Sequence, residues 1–160
     1  MKIRINIADQ RLDLLDDAER LVGTWPVSTA ERGAGEACGS GCTPRGEHII
    51  RAKIGQDLPV NTVFIGRRPT GEIYSPELGE LEPERDWILS RILWLSGKEI
   101  GFNRLGNQDT MRRYISIHGT PDDQFQQTPR SHGCIRMRNE DLLTLFDLVP
   151  VYTPVEILET

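Results

Sequence analysis

The residue best suited to covalent chemistry is Cys134, which lies in the segment 131–137 (SHGCIRM). A cysteine attacks a carbonyl carbon as its thiolate, so it needs a base within hydrogen-bond reach and donors aimed at the developing oxyanion. Gly133 permits a sharp turn and a close approach by substrate, and the backbone N–H groups of this turn can supply the donors. His118 lies sixteen positions earlier, a separation that a loop closes easily. This spacing favours nucleophilic catalysis, with Cys134 as the nucleophile.

Two other interpretations of these residues stay open from residue types alone. A lone cysteine inside a protein is often only a small apolar side chain. A zinc site is the second alternative, because thiolates and imidazoles are the usual zinc ligands. Its four candidate ligands would be Cys38, Cys42, His132 and Cys134. The spacings CxxxC and HxC match structural zinc sites only loosely.

Apolar residues alternate with polar ones in most of the chain, which predicts short strands. Ile3, Ile5 and Ile7 give the first strand. Seven more are predicted, around Leu12 and Leu14 and over residues 21–28, 47–54, 62–66, 88–95, 111–117 and 155–158. The chain is therefore expected to be mainly β.

The predicted strand over 111–117 positions the candidate base. Met111, Ile115 and Ile117 would share one face of this strand. Tyr114, Ser116 and His118 would share the other. His118 would then end the strand where solvent and substrate can reach it.

One segment after the cysteine is predicted to be a helix. Asn139 is expected to be its N-cap, and Glu140 and Asp141 suit the positive start of a helix. An apolar stripe from Leu142 to Val149 follows, and Pro150 ends the segment. We expect this helix to pack on the sheet.

Composition bounds the class of protein and its partners. The 160 residues suit one domain spanning 1–160, with 38% hydrophobic and 27% charged residues. The net charge of −5 and the lack of a basic block disfavour nucleic acid and membrane surfaces as partners. The N-terminal residues show no secretory signal. We therefore expect a cytoplasmic protein, or a periplasmic one if a natural leader has been removed.

Several segments resemble one enzyme family, the L,D-transpeptidases of the YkuD type. The segments that carry this resemblance are 26–29 (PVST), 43–47 (TPRGE), 117–120 (IHGT), 131–137 (SHGCIRM) and 153–157 (TPVEI). The resemblance covers nearly the whole chain. Two features depart from the family's pattern: the loop between His118 and Ser131 is shorter than in some members, and the glycine-rich segment 38–42 is not expected.

The resemblance implies a fold and a set of catalytic roles. The fold would be a mainly β, sandwich-like or barrel-like single domain with one packed helix after the catalytic motif, without metal or cofactor. Cys134 would be the nucleophile and His118 the base, with the Gly119 carbonyl orienting the imidazole ring. His132 and Gly133 would shape the turn. The N–H groups of Gly133 and Cys134 would hold the oxyanion.

Substrate binding is predicted for residues beside this motif. Arg136 can grip a carboxylate with two parallel hydrogen bonds, or it can brace the loop through backbone carbonyls; both interpretations stay open. Ser131, Arg130 and Tyr114 are the further residues predicted to line the substrate cleft. His48 is expected to point out of a strand.

The resemblance also implies a reaction on peptidoglycan stem peptides. The enzyme would cleave the bond between the L-centre of a diamino acid and a terminal D-alanine, through a thioester. Because a cytoplasmic protein would meet soluble muropeptides, we expect water to be the acceptor, as in an L,D-carboxypeptidase of muropeptide recycling. An L,D-transpeptidase that passes the acyl group to an amine is the alternative, and a non-catalytic zinc- or wall-binding domain is a more distant one. Carbapenems are expected to act as covalent inhibitors.

Overall fold

The computed structural model describes residues 1–160. Ten strands and two α-helices follow one another along the chain: β1 (Lys2–Asn6), β2 (Arg11–Leu15), β3 (Leu21–Pro26), β4 (Gly46–Ile54), β5 (Thr62–Ile65), β6 (Arg68–Ile73), α1 (Pro76–Leu81), β7 (Leu89–Gly97), β8 (Ser116–Thr120), β9 (Ile135–Arg138), α2 (Asn139–Leu148) and β10 (Pro154–Leu158). Strands take 41% of the residues and helices 12%, which confirms the mainly β class. Neither helix has the length and apolar character needed to cross a bilayer.

All ten strands form one curled sheet. Its main path runs β3-β2-β1-β10-β4-β7-β5-β6, and β8 joins by pairing with β7 and with β9. A branch of the sheet therefore runs from β7 through β8 to β9. The end of this branch meets the β3 end of the main path, because Ser28, just after β3, bridges to Arg136 in β9. A second bridge joins Ala30 to Ser131. The sheet therefore closes in the barrel-like manner that the sequence predicts.

Two strand pairs in this sheet are parallel. β1 lies beside β10, with Ile3 opposite Val155, and β8 lies beside β9, with His118 opposite Arg136. A parallel pair needs a crossover of a dozen or more residues, and residues 121–134 form the one between β8 and β9. Cys134 is the last residue of this crossover and directly precedes β9, so it lies next to β8. The topology therefore brings Cys134 and His118 together.

Helix α2 supports this strand pair from the inner side of the sheet. Its residues Leu142, Leu145 and Phe146 are almost completely buried and belong to a core of 19 residues. Burying a side chain of this size contributes about 1.5–3 kcal/mol. The helix contacts β7, β8 and β9, so this packing holds the catalytic strands in place.

The start of α2 differs from the sequence prediction. Arg138, and not Asn139, is the N-cap residue, and no side chain caps the helix. Asn139 is buried instead, where its Nδ2 donates to the carbonyl of Thr120 at 3.0 Å and its Oδ1 accepts from Ser90 Oγ at 2.7 Å. The asparagine therefore joins α2 to β7 and β8 rather than capping the helix.

The predicted strand over 111–117 is wrong in its first half. Residues 111–114 form turns, and β8 begins at Ser116. The Asp109 carboxylate accepts the Arg112 N–H at 2.9 Å, which stabilises a turn, and Tyr114 has a φ of 59°, which no strand tolerates. His118 consequently lies in the middle of β8 and is 1% exposed, not at a solvent-facing strand end.

Three elements were not predicted from the sequence. Strand β6 forms a hairpin with β5, and the four-residue strand β9 pairs with β8. The six-residue helix α1 begins with Pro76 after Ser75, whose hydroxyl accepts the Leu78 N–H at 3.2 Å. All three are too short to show a clear hydrophobic period.

Candidate active site

The turn that carries Cys134 is locked by its own hydrogen bonds. Ser131 Oγ donates to the Cys134 carbonyl at 2.5 Å and accepts the Gly133 N–H at 3.2 Å. Ser131 is 2% exposed. Its hydroxyl is thus used inside the turn, which corrects the prediction that Ser131 lines the substrate cleft: it positions the nucleophile.

Gly133 is required by the backbone of this turn. Its φ is +135°, a conformation that residues with a side chain rarely adopt. A Cβ at this position would also lie 3.0 Å from Ile115 Cδ1 and 3.3 Å from the Cys42 carbonyl oxygen. The Gly133 carbonyl accepts the Thr43 hydroxyl at 2.9 Å, so the glycine-rich loop holds the turn from outside.

His118 is held in one orientation by its neighbour along β8. Its Nδ1 lies 2.8 Å from the Gly119 carbonyl oxygen. Because a carbonyl only accepts, Nδ1 carries the proton in this contact and Nε2 is left free to interact with the Cys134 thiol. This carbonyl is the group that the family resemblance implies for orienting the ring. Gly119 leaves no room for a side chain, since a Cβ would collide with Asn139 Oδ1.

The two titratable groups change each other's pKa. Burial alone would raise the pKa of the Cys134 thiol, but the hydrogen bond and charge of His118 outweigh it and hold that pKa below its ordinary value. Burial would lower the pKa of His118, but the same interaction with Cys134, aided by the Gly119 carbonyl, raises it above its ordinary value. Both shifts favour the thiolate–imidazolium pair, the reactive form of a catalytic cysteine.

Two further groups contact the sulfur. The Cys134 thiol donates to the Tyr114 carbonyl, with a distance of 3.5 Å from Sγ to O. Ser116 Oγ lies 3.8 Å from the same sulfur. Because the S–H bond rotates freely about Cβ–Sγ, the proton that now points to Tyr114 can also turn toward His118.

The predicted oxyanion donors are only partly available. The Gly133 N–H donates to Ser131 Oγ at 3.2 Å and would have to leave this acceptor to hold an oxyanion, so its predicted role stays a prediction. The Cys134 N–H has no acceptor within the protein. It is therefore the free backbone donor at the nucleophile.

Asp86 joins two residues of the motif and was missed in the sequence. Arg136 Nη2 donates to Asp86 Oδ1 at 2.9 Å, and His132 Nδ1 lies 3.5 Å from Asp86 Oδ2. The His132 side chain is 74% exposed, and its predicted role in shaping the turn stays a prediction. Arg136 braces the site through a carboxylate and not through carbonyls, while its Nε is buried without a hydrogen-bond partner.

A polar pocket lies beside the nucleophile turn. It has a volume of about 420 Å³. Its lining residues are all polar or charged: Asp123, Gln124, Gln126, Arg130 and Arg136. The structure thus brings together two residues predicted to bind substrate, Arg130 and Arg136, in one cavity.

Tyr114 lies outside this pocket. Its ring is exposed and stacks against the Arg67 guanidinium, 4.1 Å from the ring centre, beside Trp94. The contact that Tyr114 makes with the nucleophile is through its carbonyl. Its predicted role in substrate binding stays a prediction.

Arg113 is a second residue that sequence reasoning missed. It fastens the glycine-rich loop to the turns before β8, because its Nη2 donates to the Cys42 carbonyl at 2.6 Å and its Nη1 to the Glu36 carbonyl at 3.3 Å. Arginines are frequent in this chain, and no spacing marks this one.

The alternative ligand set for zinc is not assembled. No group of three or more His, Cys, Asp or Glu side chains in residues 1–160 has the arrangement to hold a metal ion. Cys38 and Cys42 are free thiols. The third histidine, His48, is fully buried, which corrects its predicted position: burial lowers its pKa to about 4, and its Nε2 lies 2.9 Å from Thr110 Oγ1.

Comparison with known families agrees with this geometry. Residues 1–157 match the L,D-transpeptidase catalytic domain family, YkuD. A curated relative, the probable L,D-transpeptidase YbiS of Escherichia coli (strain K12), is 29% identical over 111 residues, which are 67% of this chain and 35% of the relative. The chain thus spans about a third of the length of this relative.

Solved structures show the same fold at low identity. The structure of L,D-transpeptidase 3 from Mycobacterium tuberculosis with a faropenem-derived adduct superposes with a TM-score of 0.59 at 15% identity, covering 98% of this chain and 59% of that one. An L,D-transpeptidase from Xylanimonas cellulosilytica gives a TM-score of 0.56 at 19% identity, covering 98% and 59% respectively. These likenesses support the curled sheet with one main helix.

Proposed function

Because this chain belongs to the YkuD family of L,D-transpeptidase catalytic domains, we propose that it removes the terminal D-alanine from peptidoglycan stem tetrapeptides through a thioester on Cys134. The observation that carries this proposal is that Cys134, the residue just before β9, lies close to His118 in the neighbouring parallel strand β8. Each favours the charged form of the other, so the nucleophile is activated before substrate binds.

The first half of the reaction uses three groups of the site. His118 Nε2 takes the proton of the thiol, and the sulfur attacks the carbonyl carbon at the L-centre of the diamino acid. The Cys134 N–H donates to the oxyanion that forms. When this intermediate collapses, the C–N bond breaks, and the nitrogen of D-alanine leaves with the proton from His118. A thioester remains on Cys134.

Water completes the reaction in this proposal. His118 takes a proton from the water as its oxygen attacks the thioester, and Cys134 leaves as the thiolate. The product is a tripeptide with a free carboxylate. The wholly polar lining of the adjacent pocket supports water as the acceptor, because polar cavities of this size hold ordered water.

Arg130 and Arg136 would bind the carboxylate of the substrate. Both arginines line the same pocket. A guanidinium group can bind a carboxylate with two parallel hydrogen bonds. The D-alanine end of the stem supplies such a carboxylate.

An amine acceptor is the second candidate. YbiS and other matching relatives carry the name L,D-transpeptidase. Asp123 gives the same pocket a carboxylate that would attract the ammonium group of a second stem. In that case the acyl group would pass from Cys134 to the amine nitrogen of the second stem and form a cross-link.

Product analysis separates the two acceptors. Purified protein is incubated with a defined soluble tetrapeptide, with and without a second stem that carries a free amine, and products are followed by mass spectrometry. We expect D-alanine and tripeptide in equal amounts under both conditions. If cross-linked dimers are the main product, the acceptor is an amine and not water. If neither tripeptide nor dimer forms, the proposed acylation of Cys134 is overturned. Fractionation of cells that carry the full native gene tests the expected cytoplasmic location separately.

A carbapenem is expected to trap the same thiol. The structural neighbours include a complex with imipenem and an adduct derived from faropenem. We expect imipenem to add one covalent group per chain, seen as a mass increase of the intact protein, because its strained ring acylates a thiolate. The Cys38→Ala variant should be acylated normally, whereas Cys134→Ala should not react. Acylation of Cys134→Ala would show that another residue is the nucleophile.

A further inference from the structure

The hydroxyl of Ser116 has a single polar partner, and that partner is the nucleophile. Ser116 is 5% exposed and belongs to β8, two residues before His118. Its Oγ lies 3.8 Å from Cys134 Sγ and makes no other hydrogen bond. A buried hydroxyl is normally paired, so this contact satisfies Ser116.

The direction of this hydrogen bond follows from the second contact of the sulfur. The thiol has one proton, and the Tyr114 carbonyl, 3.5 Å away, can only accept it. Ser116 can therefore donate to the sulfur while the thiol proton points to Tyr114, and it is the donor whenever the sulfur is a thiolate, because a thiolate has no proton to give. Tyr114 and Ser116 thus act on opposite protonation states: the carbonyl favours the neutral thiol, and the hydroxyl favours the thiolate.

We infer that Ser116 is a further catalytic residue, whose hydroxyl donates to Cys134 Sγ and stabilises the thiolate before attack and again when the sulfur leaves the thioester. Hydrogen bonds to a charged acceptor are stronger than those to a neutral one. The contact therefore strengthens as His118 removes the proton and weakens once the sulfur is acylated. This inference rests on the proposed role of Cys134 as the nucleophile.

Other charged groups face the sulfur from the surrounding elements. His118 does so from β8, and Arg113 from the segment before β8, where the thiols of Cys134, Cys38 and Cys42 are near enough to affect its own pKa. Asp86 acts on His118 from the segment before β7. None of these is changed by replacing Ser116, so a Ser116 variant isolates the hydroxyl.

The test is the pH dependence of alkylation of Cys134 by iodoacetamide. The modified peptide is quantified by mass spectrometry, which separates it from Cys38 and Cys42. For Ser116→Ala we expect the midpoint to move to higher pH by roughly one unit, with a rate about tenfold lower than wild type at pH values below both midpoints. The rate at high pH should stay unchanged, because the same thiolate reacts there.

Two variants make the result specific. Ser116→Thr keeps the hydroxyl and should restore the wild-type midpoint. Thr120→Val, on the same strand and equally buried, removes a hydroxyl that makes no hydrogen bond within the protein and should leave the midpoint in place. The inference is overturned if the alkylation midpoint of Ser116→Ala equals that of the wild type. It is also overturned if Ser116→Ala is alkylated more slowly at all pH values. If the midpoint moves but the wild-type protein releases no D-alanine, the proposed function fails and the role of Ser116 stands.

Discussion

Replacement of Cys134 by alanine is expected to abolish release of D-alanine from a stem tetrapeptide, a loss on the order of 10⁴-fold or more. No other group in the site can form the thioester, because Ser131 and Ser116 are buried and engaged with the nucleophile turn itself. The fold should persist, since apart from its interaction with His118 the thiol makes only long hydrogen bonds, with the Tyr114 carbonyl and Ser116 Oγ. The measurement is a time course of D-alanine release, with thermal unfolding recorded for both proteins.

Cys38 provides the matched control. It is an exposed free thiol in the glycine-rich loop, and Cys38→Ala should release D-alanine at the wild-type rate. If Cys134→Ala retains substantial activity while Cys38→Ala loses it, the nucleophile has been assigned to the wrong cysteine.

Replacement of His118 by asparagine is expected to reduce kcat/KM about 10³-fold. The amide can still donate to the Gly119 carbonyl, so the side chain should keep its place, but no group remains to take the proton of Cys134. His132→Asn should cost far less, because its exposed ring faces Asp86. Equal losses in the two variants would contradict the assignment of His118 as the base.

The pH profile gives a second readout for His118. In the wild type, the lowered pKa of Cys134 sets the acid limb, below which the thiolate is protonated. The raised pKa of His118 sets the alkaline limb, above which the imidazolium has lost the proton that the leaving amine needs. In His118→Asn the alkaline limb should disappear. The acid limb should move to higher pH, because burial then raises the pKa of the thiol without opposition.

The part of the site that sequence predicts best is the part made by adjacent residues. Gly133 next to Cys134 shows in the sequence because its positive φ requires glycine, and Gly119 stands directly beside His118, although its need for glycine comes from Asn139 and Leu89. Alternation likewise predicts β1 and β10, since their inward residues are buried and their outward ones are not.

What sequence does not predict comes from contacts between distant segments. Asp86 stands in a run of charged residues, and only the fold shows that it faces Arg136. Asn139 has the residue type of a helix cap, but tertiary hydrogen bonds to β7 and β8 decide its position. Tyr114 fits a strand pattern, yet the turn begun at Asp109 gives it a positive φ. In each case a tertiary contact or a turn overrides the local preference.

The parallel pairing of β1 with β10 determines when the barrel can close during synthesis. Ile3 meets Val155, so this ladder closes a loop that contains almost the entire chain. Contacts of such long sequence separation slow folding, because loop closure costs entropy before any contact repays it. Until β10 leaves the ribosome, β1 has one unpaired edge, the kind of edge that pairs with other chains and causes aggregation. A nascent chain of this family member therefore completes its sheet only after synthesis has passed well beyond the nucleophile.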